Sequence, residues 1–435
     1  MKNTAIHSLH ARQILDSRGR PTVEVDITLA DGTEARASVP SGASTGAAEA
    51  HELRDGDQAC YEGRGVLNAV SHVNGEIAAA LRGKDADDQQ SIDGALLDLD
   101  GTAQIQRLGA NAVLGVSLAV SRAAAASARQ PLYQRLATLA GTGTGQLTMP
   151  MPMVNILSGG LHAGRGMDVQ DFLAIPASAQ SIEEAIRMVA RVRSAATEVM
   201  QRRGLTTLLA DEGGLSPGFE NGRLALQLMV EATEHAGLRP GEDIAIAIDV
   251  AASSLKGPNG SYRLAREGRD CSGEEMIATM EAWVGEFPVV SIEDALDEED
   301  WTGWAELTRR LGAKVRLIGD DLFTTNLARV QRGIANDIGN GVLVKVNQNG
   351  TLSGTLSVIA AARAAGYAPV VSARSGETED SFIADLAVGT AAGQIKIGSV
   401  RCSDRLAKYN QLLRIEEQSR APFAGMSAIT LERRP

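Results

Sequence analysis

Aromatic residues and cysteines are scarce in this sequence. Phe, Trp and Tyr make up 3% of its 435 residues, and the three cysteines, Cys60, Cys271 and Cys402, lie far apart. An odd number of scattered cysteines, without a CxxC motif or a Cys/His cluster, excludes a disulfide framework and a typical zinc site. We therefore expect reduced thiols and a cytoplasmic protein.

Long apolar runs and an excess of positive charge are also missing. The opening residues, MKNTAIHSLHARQ, lack the apolar core of a signal peptide, and the longest apolar stretch, near Val113 to Val120, is too short to cross a bilayer. The net charge of −12 disfavours nucleic acid and anionic membranes, so we expect neither as a partner. An anionic ligand would need cations concentrated at its own site.

The length of the chain predicts two domains. Residues 141–152, GTGTGQLTMPMP, have the Gly and Pro content of a linker. Before them, apolar residues alternate from Val23 to Leu29 and lead to a turn at Asp31–Gly32, which predicts a β-hairpin. An Ala-rich helix is predicted over residues 111–128. We expect an N-terminal α+β capping domain over residues 1–140 and a barrel domain over residues 141–435.

Six short runs in the second part each lead to one charged residue. The charges are, in chain order, Asp249, Glu293, Asp320, Lys345, Arg374 and Lys396. Each run is largely apolar and often β-branched, which predicts a buried strand, and helix-like stretches lie between most of them. This alternation predicts an α/β fold, a (β/α)8-type barrel of parallel βα units. Such a barrel has its active site at the carboxyl ends of the strands, where these six charges would meet.

Helices are predicted between and after these strands. Their ranges are 181–203, 221–236, 298–311, 351–365, 378–392 and 404–418. The first begins with a possible capping box, Ser181 with Glu184, and Gly204 is its expected stop.

The predicted cluster favours a metal and an anionic substrate. Three carboxylates suit a hard divalent cation, most of all Mg²⁺. Two lysines and an arginine beside them suit a phosphorylated ligand. A single charge at the end of a strand is commonly just a polar terminus, but six in register make that interpretation improbable, since buried charges cost several kcal/mol unless they are paired.

Four loops could complete such a site. The small residues of SGASTG, Ser41 to Gly46, indicate either a mobile loop over a ligand or a surface turn. DEGG, Asp211 to Gly214, holds either a carboxyl with a raised pKa that acts as an acid or a solvated turn. LHAG places His162 in a Gly-rich loop, in a structural or a functional role. SARSGETED, Ser372 to Asp380, indicates a phosphate cradle, a capped helix, or both.

Together these motifs resemble the enolase family from Ala11 to about Glu417. The motifs, in order, are DSRGRPTVEV, VPSGASTG, LDGT, LGANAVLGVSLA, DEGG, SIED, DDL, VLVKVNQNGTL, RSGETEDSFIADLAVGT, GQIK and KYNQLLRIEE. The resemblance implies a carbon–oxygen lyase that interconverts 2-phosphoglycerate and phosphoenolpyruvate through an enolate, as in glycolysis, with two Mg²⁺ per active site. It also implies a cytoplasmic homodimer or higher homo-oligomer.

The resemblance further implies a role for each matching residue. The metal ligands would be Asp249, Glu293 and Asp320 for the tighter Mg²⁺ and Ser41 for the second. Lys345 would be the base, Glu212 the acid for the departing hydroxyl, with Asp171 and His162 as further catalytic residues. The substrate would be bound by Ser41, His162, Gln170, Arg374, Ser375 and Lys396, the last of these pairing with its carboxylate.

Four positions depart from the family pattern. Ala373 replaces His, Asp171 replaces Glu, Ser158 replaces Asn and Ala295 replaces Pro. The first two fall where the family has catalytic groups, and a group misplaced by about 1 Å can cost roughly 100-fold in rate.

Three functions are therefore open. The first is a divergent enolase. The second is an enolase-like enzyme of secondary metabolism, such as the carboxyphosphonoenolpyruvate synthases of phosphonate biosynthesis, which use the same enolpyruvate unit with a phosphonate donor. The third is a non-catalytic binding protein, which the retained acids and lysines disfavour. The ligand in the first two is a small phosphorylated or phosphonate carboxylate.

Overall fold

The computed structural model describes residues 3–42 and 46–431. Its first part has three strands, β1 (Ile6–Leu15), β2 (Pro21–Leu29) and β3 (Glu34–Ser38). Its helices are α1 (Leu67–His72), which continues through a π-helical turn (Val73–Ile77) into α2 (Ala78–Leu81), then α3 (Gln89–Asp100), α4 (Ala110–Ser127) and α5 (Leu132–Leu139).

An antiparallel sheet and one helix form the core of this first part. The strands pair in the order β1–β2–β3, and Gly32, at φ +84°, forms the turn of the predicted hairpin. The apolar residues of β2 are buried against α4, and a Cβ on Gly115 would lie 2.8 Å from Val25 Cγ2. Small residues thus let the helix approach the sheet closely. By length and composition alone α4 could cross a membrane, although the apolar run from Val113 to Val120 within it is too short to do so. Its burial in the core of this domain explains its apolar composition.

The second part is a closed eight-stranded barrel surrounded by helices. Its strands are β4 (Met151–Ser158), β5 (Asp171–Ile175), β6 (Ala245–Asp249), β9 (Val289–Glu293), β10 (Arg316–Gly319), β11 (Gly341–Val344), β12 (Ala368–Ser372) and β13 (Gln394–Lys396), and a small hairpin, β7 (Tyr262–Leu264) with β8 (Arg269–Cys271), lies outside it. The helices are α6 (Ile182–Arg202), α7 (Gly222–His235), α8 (Gly273–Glu286), α9 (Trp301–Leu311), α10 (Leu327–Ala335), α11 (Val346–Asn349), α12 (Leu352–Ala364), α13 (Phe382–Gly389) and α14 (Ser403–Ser419). The predicted α/β barrel with an α+β domain before it is confirmed.

The six predicted strands are parallel, but one further strand of the barrel, β5, runs against the others. β5 pairs antiparallel with both β4 and β6, whereas the other six pairings are parallel. The segment between β4 and β5 contains one short 3₁₀ turn (Gly160–Ala163) and no α-helix. Such a segment cannot carry the chain back for a parallel crossover, so it forms a hairpin. Asp171, the first residue of β5, therefore lies at the end of the barrel where the parallel strands finish.

The predicted helices form, with differences at their ends. Ser181 caps α6 by accepting from Glu184 N at 3.1 Å, but the Glu184 carboxylate accepts from Gln180 N at 3.0 Å, so only one half of the capping box forms. Gly204, at φ +67°, follows the helix as expected. α13 begins later than predicted because the carbonyl of Thr378 accepts from Lys408 Nζ, and Phe382 N donates to the Asp380 side chain instead of to that carbonyl.

Asp385 provides a test of this packing. It is buried on α13, where burial raises its pKa to about 6 from an ordinary 3.8 and Gln411 Nε2 donates to it at 3.1 Å. Because the folded state holds the proton more tightly than the unfolded state, this group favours folding below pH 4, and its contribution falls as the pH rises to 6. We expect the effect of Asp385→Asn on the free energy of unfolding to be more favourable at pH 7.5 than at pH 4.5, by about 1–3 kcal/mol.

The measurement is the thermal unfolding midpoint of both proteins between pH 4.5 and 7.5. Asp98→Asn, the same change at an exposed position of α3, is the control and should show no such pH-dependent gain. A gain for Asp385→Asn that is equal at both pH values would contradict the assigned pKa.

Candidate active site

The six charged residues predicted at strand ends lie at one end of the barrel. Asp249, Glu293 and Lys396 are the last residues of β6, β9 and β13. Asp320 and Lys345 directly follow β10 and β11, and Arg374 lies two residues beyond β12. Five of the six are buried, and the side chain of Lys345 is 14% exposed.

Two lysines hold the three predicted metal acids. Lys396 Nζ donates to Asp249 Oδ2 at 2.7 Å and to both oxygens of Glu293, at 2.8 and 2.7 Å. Lys345 Nζ is paired with Asp320 Oδ2. The acids are thus divided between two ammonium groups, and Lys396, expected on a substrate carboxylate, is bound to the protein's own carboxylates.

The pKa shifts follow from this pairing. Burial opposes ionisation of Asp249, but the charge and hydrogen bond of Lys396, together with the charges of Lys345 and His162, lower the pKa of Asp249. Burial, together with the neighbouring Asp249, holds the pKa of Glu293 well above its usual value. Burial disfavours the Lys396 ammonium, yet Asp249 and Glu293 raise its pKa well above normal. Positive charge beside these carboxylates therefore stabilises their ionised forms.

Among the described residues, two groups of side chains could hold a metal ion with ligand atoms within 4.8 Å of one another. One is Asp294, Asp320 and Asp321, and the other is His162, Asp171 and Glu212. Burial, then the charge of Asp320, raises the pKa of Asp321 to about 7. The triad of Asp249, Glu293 and Asp320 does not form such a group while the lysines lie between its members, so this ligand set stays a prediction.

His162, Asp171 and Glu212 form a second buried centre. His162 Nδ1 lies 3.2 Å from Asp171 Oδ2 and 3.9 Å from Glu212 Oε1. Ser158 Oγ donates to the other Asp171 oxygen at 2.5 Å, across the β4–β5 pair, and Asn155 Nδ2 donates to Glu212 Oε2 at 3.2 Å. Both oxygens of Asp171 are thus bound within the protein.

The two carboxyls of this centre titrate in opposite directions. Burial raises the pKa of Asp171, and the His162 hydrogen bond offsets only part of it. Burial also acts on Glu212, but the charges of His162, Arg405 and Lys396 outweigh it and lower the pKa of Glu212. A raised pKa, one of the two interpretations of the DEGG motif, does not apply to Glu212, because cations surround its carboxylate. Burial opposes protonation of His162, but Glu212 and Asp171 raise the pKa of the imidazole.

Two arginines anchor the loop after β12, the predicted phosphate cradle. Arg405, fully buried on α14, donates to the backbone carbonyls of Arg374 at 2.6 Å and Ser375 at 2.8 Å. Arg18 Nη1 donates to Ser375 Oγ at 3.2 Å. Two arginines from distant parts of the chain therefore fix the predicted phosphate residues.

The Gly-rich loop is only partly described. The hydroxyl of Ser41 donates to Asp16 Oδ2 at 2.8 Å and accepts from Arg18 Nη2 at 2.9 Å. The backbone of Ser41 also pairs with Gly376. Ala43, Ser44 and Thr45 of SGASTG lie outside the described residues, so the predicted lid stays a prediction, as does the role of Ser41 at a second metal.

The departures from the family pattern lie together in this region. Ser158 and Asp171 are cross-strand partners, so these two changes meet in one hydrogen bond. Ala373 lines a cavity of about 20 Å³. The other residues on its walls are His162, Gln170, Glu212, Asp249, Lys345, Ser372, Arg374, Ser375 and Lys396. Ala295 is buried just after Asp294. The cavity holds about one water molecule, so a three-carbon ligand can enter only if lining side chains move.

Larger cavities lie elsewhere and lack these groups. One of about 680 Å³ lies beside Asp16 and Asp380, and one of about 910 Å³ lies at the opposite end of the barrel beside Arg316. The cavity of about 20 Å³ beside Ala373 is lined by lysines, acids and residues of the loop after β12.

Several residues with contacts to this site were not identified from sequence, and four of them connect its charged groups to the rest of the chain. They are Arg18, Glu49, Gln348 and Arg405. Gln348 follows Lys345 by three residues in the motif VLVKVNQNGTL, and Glu49 follows the Gly-rich loop, so nearness to predicted site residues was the available signal.

Both parts of the chain match models of known families. Residues 6–136 match the family described as the enolase N-terminal domain. Residues 146–431 match the family described as the enolase C-terminal TIM barrel domain. The matches follow one another in chain order and together span nearly all of the sequence.

Proposed function

Because the chain belongs to the enolase family, we propose that this enolase-superfamily enzyme is a Mg²⁺-dependent lyase that interconverts 2-phosphoglycerate and phosphoenolpyruvate. One observation carries the proposal. Lys345, Lys396 and Arg374 line one cavity together with Asp249, and the two lysines also bind Glu293 and Asp320. Acids for a cation, a base and an anion site are the groups that this reaction needs.

The donor set fits a hard divalent cation. Asp249, Glu293 and Asp320 offer only oxygen ligands, and each is held by an ammonium group in this structure. A divalent cation bound by these acids would take over that neutralisation and add positive charge beside the substrate carboxylate. Mg²⁺ is the cation that we propose.

The remaining groups are placed to move protons and to bind the substrate. As a neutral amine, Lys345 would take the proton next to the substrate carboxylate, and Lys396 would pair with that carboxylate. Glu212 would give the departing hydroxyl a proton that is supplied by His162, whose raised pKa favours the protonated imidazole beside it. Arg374 and Ser375 would bind the phosphate, because Arg405 and Arg18 already fix them in place.

A second function is favoured by the surroundings of Ala373. Where an imidazole would fill the cavity wall, the methyl group of Ala373 leaves space beside Arg374 and Ser375. Both carboxylate oxygens of Asp171 are bound within the protein, one to Ser158 and the other to His162. An enzyme that keeps the enolpyruvate chemistry but accepts a phosphonate donor, as in secondary metabolism, would use that space. In either case we expect a cytoplasmic homo-oligomer.

The test is turnover of 2-phosphoglycerate with Mg²⁺, followed by the absorbance of phosphoenolpyruvate. We expect a kcat below the roughly 10 per second ordinary for enzymes. Ala373→His with Asp171→Glu should raise it on the order of tenfold, because an imidazole and a longer carboxylate reach the reacting groups. The two effects need not add, since both act on one unit.

Magnesium affinity is the control, since neither position is a proposed ligand, and it should change little. Turnover at an ordinary rate by the unchanged protein would remove the support for the phosphonate alternative. Absence of turnover that the double change restores would favour the alternative.

A further inference from the structure

Glu49 belongs to the first domain, but its carboxylate reaches the barrel. Its side chain is 7% exposed, and Oε2 accepts from Arg374 Nη1 at 2.9 Å. Its Oε1 accepts from Gly46 N at 2.9 Å, and Glu49 N donates to the carbonyl of Gly46 at 3.1 Å. One carboxylate therefore ties the end of the Gly-rich loop to the guanidinium of the anion site.

Gln348 extends this link to the metal acids. Its Nε2 donates to Glu49 Oε1 at 3.2 Å and to Asp320 Oδ1 at 2.8 Å. Its Oε1 accepts from Thr325 Oγ1 at 2.7 Å, and its backbone carbonyl accepts from Ala50 N at 2.8 Å. The amide is thus fixed on several sides, and it connects Glu49 to Asp320, the partner of Lys345.

Stability alone does not explain a buried ion pair at this place. Arg374 and Glu49 are both almost fully buried, and an apolar pair of similar volume is often as stable or more so. A guanidinium held by a carboxylate and by Asn347 Oδ1, at 3.1 Å, has one fixed orientation. A fixed orientation matters where the guanidinium has to meet a phosphate in a reacting geometry.

We propose that Glu49 is a positioning residue that aligns Arg374 directly and Asp320 through Gln348. This inference rests on the function proposed above. The carboxylate acts from the first domain, so the docking of residues 46–50 on the barrel sets the geometry of the anion-binding and metal-binding groups. Its negative charge also opposes an incoming phosphate, so Glu49 favours turnover at the expense of anion affinity.

Glu49→Gln separates these two effects, since it keeps the shape and removes the charge. We expect kcat to fall at least about fivefold because Arg374 and Gln348 lose their common anchor. We expect the Kd for inorganic phosphate, measured by calorimetry, to fall at least about threefold because a competing charge is removed. A purely structural role would weaken binding and turnover together.

Glu298→Gln is the matched control. The Glu298 Oε2 atom accepts from Ala47 N at 3.1 Å. This substitution therefore removes a carboxylate that contacts residues 46–50 but does not change a partner of Arg374 or Gln348. It should change neither quantity more than about twofold. If Glu49→Gln does not fold, Glu49→Asp replaces it, with the same criterion for kcat and an unchanged phosphate Kd, because the charge stays.

In a folded Glu49→Gln protein, a kcat lowered less than fivefold, or phosphate binding that is unchanged or weaker, would overturn the proposal. Failure of the proposed function gives a different result, namely no turnover of 2-phosphoglycerate by the unchanged protein. The phosphate measurement needs no turnover, so it then decides on Glu49 alone.

Discussion

Lys345→Ala is expected to abolish turnover while metal binding persists. The ammonium of Lys345 is buried beside the cavity and paired with Asp320. Removing it takes away the proposed base, and loss of such a group lowers kcat by roughly 10³-fold or more. It also removes a cation that competes for Asp320, so the affinity for Mg²⁺ should be unchanged or higher. Exchange of the substrate carbon-bound proton with deuterium, followed by NMR, should stop.

A surface lysine provides the control for this change. Lys256 pairs with Asp297 at 2.9 Å and is half exposed, so Lys256→Ala should exchange the proton at the normal rate. Proton exchange that persists at the normal rate in Lys345→Ala would mean that another residue is the base. Loss of Mg²⁺ binding in the same protein would mean that Lys345 is needed for the fold of the site rather than for proton transfer.

The positions of the six charges could be predicted because two simple rules apply to them. A short β-branched run marks a buried strand, and the strands of a barrel finish at one end, so Asp249, Glu293 and Lys396 had to converge. The direction of β5 could not be read from DFLAI, since a buried strand has the same pattern in either direction. The missing helix between Ser158 and Asp171 was the signal, because a parallel crossover needs one.

The contacts inside the site were beyond the sequence for a different reason. Glu49 meets Arg374, and Gln348 meets Glu49, across hundreds of residues of chain, and no local pattern encodes such a pairing. The pairing of Lys396 with Asp249 and Glu293 follows from charge balance among buried groups, which depends on which cations lie nearest. The lowered pKa of Glu212 has the same origin, since His162, Arg405 and Lys396 come from separate parts of the chain.

Glu293→Gln is expected to remove most of the affinity for Mg²⁺. Glu293 is 2% exposed, and both of its oxygens face Lys396 at the point where Asp249 also binds. The amide keeps the shape but offers one neutral oxygen in place of two that share a negative charge, and Mg²⁺ requires charged, hard ligands. The Kd for Mg²⁺, measured by calorimetry, should rise by about 100-fold or more, at or above the upper end of the roughly 10-fold to 100-fold change typical of groups that only support a ligand.

Stability should respond in the opposite sense to this loss of affinity. Burial and the nearby Asp249 raise the pKa of Glu293, so its ionisation costs free energy in the folded protein, and a neutral amide of the same shape should not lower the thermal midpoint in the absence of metal. Glu299→Gln is the matched control, because that carboxylate pairs with Arg329 at 2.8 Å and is half exposed, so the Mg²⁺ affinity should stay the same. The metal assignment fails if Glu293→Gln, Asp249→Asn and Asp320→Asn all bind Mg²⁺ as well as the unchanged protein, because no three-acid site could lose each ligand in turn without effect.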